Sequence, residues 1–580
     1  MRAFGNIFSE AMRGRRRVFK RTVMLAGFVI LIALATAYVL RVGVFGGQIS
    51  GSRIEQVVIL PIRSSGDNPV SDLLADGLLY SITTELSGIR DYQDTFSLIP
   101  VSEVISQEVE DTKSSDLPFH ADIIVEGTIK RVEDVIQLRF EVVSGRKKQS
   151  ANATQIDAPS DNMLDFQDRA AAALGFLLAP DIDIIETAAP EKTIHPDAYE
   201  FYLRGSGYLQ RSMTSSDLDE AIDRFTKALE VDSMYADVYA GLGEAYRRKY
   251  EETGASQWAD RAERSLEQAQ RIAPELPATE LTLGLLFENQ QRNAEAVEAF
   301  QRTVALDPNN SAAYLGLASA YRNLGRLTLA EKNILELPRL RPKLWSAYWK
   351  VGVFYNEIGR YGDALGQFRR LTELAPNNLL GLNSLAATYE RIGQSTNSIS
   401  IYKKALLLSD DASPYRNLAA IYYIDKQDYA EAARMYESSL LLNERDFRSW
   451  IGVADAYYWT PDLREKSGEA WNRAVELVAV ALRINPGAAE ALETLALSLA
   501  HTGRGDEALM TVDSLKKMAS SDPDVLIAIA GVYEIMGSRD SSLVYATRSL
   551  NAGLDPKYVL NSLWFAPLRS DPRFDQLPVK

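Results

Sequence analysis

Three histidines are all the imidazole this sequence offers for acid–base or metal chemistry: His120, His195 and His501. Each lies in a different stretch, and none has a second histidine three or four residues away, so no helical face presents a ligating pair. All three read as surface or packing residues. Cysteine is absent, which removes disulfides, thiolate metal sites and a thiol nucleophile together. The absence fits an oxidising compartment. There is no GxxxxGK[ST] phosphate loop, and no elbow or S-x-x-K arrangement gathers the abundant Ser, Lys and Asp. The acidic stretch Asp217–Asp223 (DLDEAID) falls at a helix start, where carboxylates oppose the positive end of the helix dipole, and so does not read as a calcium loop. No metal and no cofactor are expected. The chain reads as a non-enzyme whose chemistry is binding.

Composition narrows what is bound. At 580 residues, 46% hydrophobic and 24% charged, the chain is ordinary folded protein too long for one core. Residues 1–21 hold seven Arg and Lys against Glu10, a surplus of +6, so the net charge of −15 leaves −21 on the rest. A body that acidic repels phosphate backbones, and nucleic acid is not an expected partner.

The elements that must position any binding residues are announced by a ladder of prolines. Pro274, Pro308, Pro342 and Pro376 recur every 34 residues. Around them the pattern repeats: Tyr348, Val351, Gly352, Tyr355, Gly359, Ala364 and Phe368 in one unit, and Tyr314, Leu317, Ala318, Tyr321, Gly325 and Ala330 in the unit before it. This spacing resembles the tetratricopeptide family, two antiparallel helices per unit closed by a helix-stopping proline. The resemblance implies ten units: 197–235, 236–276, 277–310, 311–344, 345–378, 379–412, 413–446, 447–488, 489–522 and 523–556. Insertions are expected around Thr253–Trp258 and Thr460–Glu469, and residues 557–580 are expected to cap the last pair. Gly241-Leu242-Gly243 falls inside a repeat helix, where the family pattern accounts for Gly243.

In that family the inner faces of the first helices form a groove. Mapped onto this chain, the distinctive inward positions are Arg322, Asn323, Trp349, Asn356, Asn383, Arg391, Arg416, Tyr423, Asp455, Tyr458 and Trp459. Aromatics beside Arg and Asn suit a protein or peptide segment, supplying anchors and backbone hydrogen-bond partners. The alternative is that Trp349 and Trp459 simply pack between helices. The Lys/Asn clamp by which some tetratricopeptide domains hold a terminal carboxylate is missing. The corresponding positions run Leu281, Leu315, Trp349, Asn383, Arg416 and Ile451.

Ahead of the array stand four further segments. Residues 1–22 are a basic head, expected in the cytoplasm. Val23–Leu40 is an 18-residue run without a charge, long enough as a helix to cross a bilayer, and segment 23–41 is expected to be a transmembrane helix. The rival reading is a cleaved signal peptide at Ala35-Thr36-Ala37, against which Tyr38-Val39-Leu40 continues the apolar run. Residues 42–54 are a short tether. Segment 55–178 is mixed α/β: strands at Val57–Pro61, Phe96–Pro100 and from Ile123, a hairpin partner at Val135–Val143, and helices at Ser71–Leu86, Ser102–Val109 and Met163–Leu178. VVILPI, LLADGLLYSITTELSGI and ADIIVEGTIKRVEDVIQLRFEVV resemble the TolB-like (FlgO-like) amino-terminal domain, found beside tetratricopeptide arrays in bacterial membrane regulators. Residues 179–196 form a linker. The resemblance implies that such regulators usually carry a kinase, cyclase or DNA-binding domain before the span, and residues 1–22 are expected to hold none.

The expected fold is therefore a transmembrane helix, an α/β module and an all-α solenoid, mostly α overall. The leading expectation is a single-pass bacterial inner-membrane protein with its bulk in the periplasm, binding protein or peptide partners of the cell envelope in its groove. The alternative is a regulatory subunit signalling through its membrane helix to a separate kinase or cyclase. An enzyme acting on cell-wall or nucleotide substrates is the third reading, discriminated by a cleft of converging carboxylates or histidines.

Overall fold

The computed structural model of this protein describes residues 55–64, 69–88, 96–99, 101, 104, 121–132, 135–144, 150–159, 163–179, 195–211, 214–409, 411–518 and 521–578. The basic head, the apolar run Val23–Leu40, the tether, His120 and all of Ser102–Val109 but Val104 lie outside them. Among the described residues, no helix is long and apolar enough to cross a membrane.

The amino-terminal unit is built on one sheet. Strand β1 (Glu55–Ile59) runs parallel to β3 (Phe96–Leu98) on one side and to β4 (Ile123–Val132) on the other. After Pro61, whose missing N–H breaks the ladder, β2 (Arg63–Ser64) rejoins β4. Strands β4, β5 (Val135–Ser144) and β6 (Ser150–Pro159) then form an antiparallel meander. Val57 to Leu60 are all buried, as a parallel strand covered on both faces requires. Helices α1 (Pro69–Gly88) and α2 (Met163–Leu178) pack on each other, burying Leu78, Leu79, Ile82, Phe166 and Leu174. Strand β6 has no counterpart in the sequence reading. In its sequence, SANATQIDAP, Ile156 and Ala158 are the buried apolar residues among those whose side chains are described, since it pairs with β5 at the edge of the sheet.

The second unit is a stack of helix pairs. The first pair is Pro196–Arg211 with Ser215–Val231, and the tenth is Pro523–Ile535 with Arg539–Asn551. The periodic prolines sit in the turns that end second helices, and Asn310, Asn378, Asp446 and Asp522 then cap the next first helix with a side-chain oxygen. Within a pair, the first helix ends on a left-handed residue: Gly325, Gly359, Gly393, Gly503 and Gly537 have φ between 71° and 77°. In two pairs a glutamine holds this position, Gln291 at φ 60° and Gln427 at φ 54°. A side chain in that region is strained by roughly 1 kcal/mol. Gln291→Gly is therefore expected to stabilise the array by about 0.5 kcal/mol, read as a higher urea midpoint.

Three irregularities have local causes. The extra residues of the second pair lengthen both helices, to Ala236–Thr253 and Ser256–Ile272, rather than forming a loop. The insertion of the eighth pair becomes a 3₁₀ turn, Pro461–Lys466, before a long second helix, Ser467–Ile484. In the fourth pair the second helix divides into Leu327–Ile334 and Glu336–Leu340, since Pro338 cannot donate to the carbonyl four residues back.

Successive pairs are keyed by an aromatic residue lodged against glycines. Phe300, fully buried on the third pair, has its ring between Gly284 of its own pair and Gly316 of the next. A methyl group on Gly316 would sit 2.3 Å from the ring, and one on Gly284 would sit 2.5 Å from it. Phe225 is held in the same way between Gly205 and Gly241.

Candidate functional site

The groove positions read from the sequence all lie on first helices, those of pairs four to eight: Ser311–Asn323, Trp345–Glu357, Leu379–Arg391, Ala412–Ile424 and Phe447–Trp459. Several residues read from the sequence as groove positions tie one pair to the next. Arg322 forms an ion pair with Glu357. The Trp349 indole N–H donates to Ser384 Oγ at 3.2 Å, and Asn356 Nδ2 donates to Thr388 Oγ1 at 3.3 Å. Arg416 Nη1 donates to the buried Asp446 at 2.9 Å. Asn323 is exposed and ties the fourth pair back to the third, donating to Asn293 Oδ1 at 3.2 Å. Arg391 is exposed with its guanidinium 5.8 Å from the Tyr361 ring. Asn356 Oδ1 and Asn383 Oδ1 are buried without a hydrogen-bond partner among the described residues. Trp349 thus packs and bonds between helices while staying half-buried.

The remaining four, Tyr423, Asp455, Tyr458 and Trp459, converge on one aromatic cluster. Tyr458 and Trp459 stand at the end of their helix, edge to face at 5.1 Å. Trp471, from the second helix of the same pair, stacks on His501 at 4.2 Å with planes 6° apart. A third tryptophan, Trp564, comes from beyond the tenth pair and lies 4.8 Å from Tyr458, 4.9 Å from Trp459 and 4.2 Å from His501. Such tilted and stacked aromatic pairs contribute beyond the area they bury.

At the centre sits Asp455. Burial among the rings pushes its carboxyl up to about 7, while the indole N–H groups of Trp471 and Trp564 pull it down. Trp471 Nε1 donates to Asp455 Oδ1 at 3.0 Å; Trp564 acts through its dipole without closing a hydrogen bond. His501 Nε2 stands 3.9 Å from the same carboxyl, yet burial lowers its pKa to about 3 and keeps it neutral. The two therefore do not form an ion pair. His501 is a packing residue, and among the described residues no His, Asp and Glu group is arranged to hold a metal ion. Trp471, His501 and Trp564 were not among the groove positions read from the sequence. The one signal was the apolar run Leu563-Trp564-Phe565-Ala566-Pro567-Leu568 inside a segment assigned only to capping.

Comparison with known proteins agrees with the helical period. A family profile described as tetratricopeptide repeat matches residues 212–270 and 281–344. The chain carries tetratricopeptide repeats. Among solved structures, this chain is similar to the crystal structure of MamA at 18% identity, over 29% of this chain and 97% of that one, with a TM-score of 0.26. A tetratricopeptide repeat protein from Parabacteroides merdae is 14% identical over 44% of this chain and 97% of its own, at a TM-score of 0.33. The human IFIT1 dimer with m7Gppp-AAAA is 16% identical over 56% of this chain and 72% of its own, at a TM-score of 0.33. No curated protein matches the chain.

Proposed function

We propose that this protein is a membrane-anchored scaffold that binds protein or peptide partners of the bacterial cell envelope on the inner face of its tetratricopeptide array. The observation that carries the reading is the array itself. Stacked helix pairs make an extended concave surface, on which the half-buried Trp349 and Asn383 and the exposed Arg391 would meet a partner segment. The anchor rests on the uncharged run Val23–Leu40, and the orientation on the basic residues that crowd its amino side. The TolB-like assignment of the amino-terminal unit rests on the residues that resemble that domain. A mixed sheet with helices packed on it is compatible with it. Trp349 and Asn356 have a double part, since both already bond the next pair.

In-cell cross-linking of the intact protein, with partners identified by mass spectrometry, tests this. Envelope proteins cross-linked to first-helix residues are the expected result. Asn383→Ala with Arg391→Ala is expected to lower their recovery several-fold while leaving the thermal midpoint within a few degrees, both sites being non-core. If the region after the apolar run captures no envelope component, the scaffold reading fails. A cytoplasmic kinase or cyclase cross-linked to residues 1–21, whose surplus of +6 suits an acidic partner, would replace it with a regulatory subunit.

A further inference from the structure

The segment after the tenth pair, residues 557–578, covers the end of the array. Val559, Phe565, Leu568, Phe574 and Leu577 bury against Leu543, Ala546 and Leu550 of the last second helix, and Arg573 pairs with Asp540 at 2.6 Å. A cap needs only that face. This segment also reaches back to pairs six to nine. Gln427 Nε2, in the turn of the seventh pair, donates to the Asn561 carbonyl at 3.1 Å across 134 residues of sequence. Lys557 and Tyr558 lie within electrostatic range of Glu390 on the sixth pair. Arg569 Nη1 donates to the carbonyls of Val559 at 2.8 Å and Ser562 at 2.7 Å, closing a loop that carries Trp564. That ring is inserted among Tyr458, Trp459 and His501.

The insertion is incomplete in its hydrogen bonding. The Trp459 indole N–H faces the Tyr423 hydroxyl, and the Trp564 indole N–H faces Asp455, without either closing a hydrogen bond of full geometry. Buried donors are almost always paired, and leaving one unpaired is costly. The looped segment brings apolar contact to this place but no carbonyl or carboxylate oxygen, so the Trp459 N–H has only the poorly aligned Tyr423 hydroxyl.

We propose that the inner face of pairs seven to nine is a binding site for a tryptophan-bearing protein segment, held in this state by residues 557–578 as an intramolecular competitor. The incoming segment takes the place of Trp564 between Tyr458, Trp459 and His501. It also brings carbonyl or carboxylate oxygens to the Trp459 N–H and the Tyr423 hydroxyl, which is what lets it displace an occupant tethered to the same chain. This deepens, and rests on, the scaffold reading above.

The test uses the full-length chain and a fluorescently labelled synthetic peptide copying residues 557–570. Trp564→Ala empties the place of the ring but leaves Val559, Phe565 and Leu568 to cap the last pair. A site occupied nine-tenths of the time by its own segment binds an added one about tenfold more weakly, so the variant is expected to bind the peptide at least tenfold more tightly than the unaltered chain. The same peptide with its tryptophan replaced by alanine is expected to lose at least about tenfold on the variant, as is the variant carrying Trp459→Ala as well. Equal binding to the unaltered chain and to Trp564→Ala overturns the proposal, as does no binding to a variant whose circular dichroism and melting are unchanged. If Trp564→Ala folds poorly, Gln427→Gly serves in its place. It cuts the hydrogen bond to Asn561 and relieves a left-handed glutamine, so it is expected to increase peptide binding without loss of stability. Envelope partners cross-linked only to pairs three to six, with no peptide bound by the variant, would sink this site and leave the scaffold standing. Peptide binding to the variant with no partner captured in cells would sink the scaffold and leave the site.

Discussion

Phe300→Ala is expected to destabilise the third and fourth helix pairs by about 3–5 kcal/mol, the usual result of emptying a buried phenylalanine site. The ring is fully buried and is the wedge that spaces two successive first helices, so its loss removes contacts on both sides of a pair boundary. Gly316→Ala approaches the same boundary from the other direction. The added methyl would stand 2.3 Å from the ring, far inside van der Waals contact, and overpacking of that kind costs about 1–3 kcal/mol. The double variant separates the two effects. Without the ring the methyl has room, and alanine is a better helix former than glycine by about 1 kcal/mol. Gly316→Ala should therefore change sign, destabilising the natural chain and stabilising the Phe300→Ala chain. Hydrogen exchange over residues 277–340 is the measurement, because a solenoid is held by nearest-neighbour contacts and a lesion here leaves distant pairs protected. Additive effects would show that the glycines are not there to admit the ring.

Asp455→Asn is expected to stabilise the eighth and ninth pairs at about pH 8 and to do little at about pH 4. In the folded chain burial raises this carboxyl from its ordinary 3.8 to about 7. The folded state thus holds the proton that the unfolded chain has already released. Between those values stability falls as pH rises, and the full penalty is present above about 7. At roughly 1.4 kcal/mol per unit, and with 22% of the side chain still exposed, the cost above neutrality is about 2–3 kcal/mol. Asparagine keeps an oxygen for the Trp471 N–H and removes the charge. His501 runs the other way: its lowered pKa costs stability as pH drops from its ordinary 6.5 towards about 3. That cost is common to both chains and drops out of their difference. Urea unfolding followed by tryptophan fluorescence suits the question, since Trp459, Trp471 and Trp564 all belong to this cluster. A difference that stays constant with pH would mean Asp455 is not a buried acid.

The two regions differ in how far they were legible. Glycine and aromatic spacing around Phe300 is a local, periodic signal, and the 34-residue ladder of prolines repeats it. The cluster around Asp455 joins residues from the eighth and ninth pairs with Trp564, and no periodicity links them. Strand β6 escaped notice for a third reason, because an edge strand with two buried apolar residues leaves almost no alternation to read.

The sequence by itself determined the helical period, the paired-helix unit, the glycine turns and the alternation of apolar segments in the amino-terminal unit. These are set within a few tens of residues by backbone conformation and by which face must be buried. It also listed the residues that could line a groove. Only the tertiary structure decided which of them are engaged: Trp349, Asn356 and Arg416 in bonds to the next pair, and Asp455, Tyr458 and Trp459 with the returning Trp564. The reason is physical. Whether an inward side chain faces solvent or another part of the chain depends on how many small rotations between pairs accumulate before residue 564 returns to residue 458, and no single repeat encodes that sum.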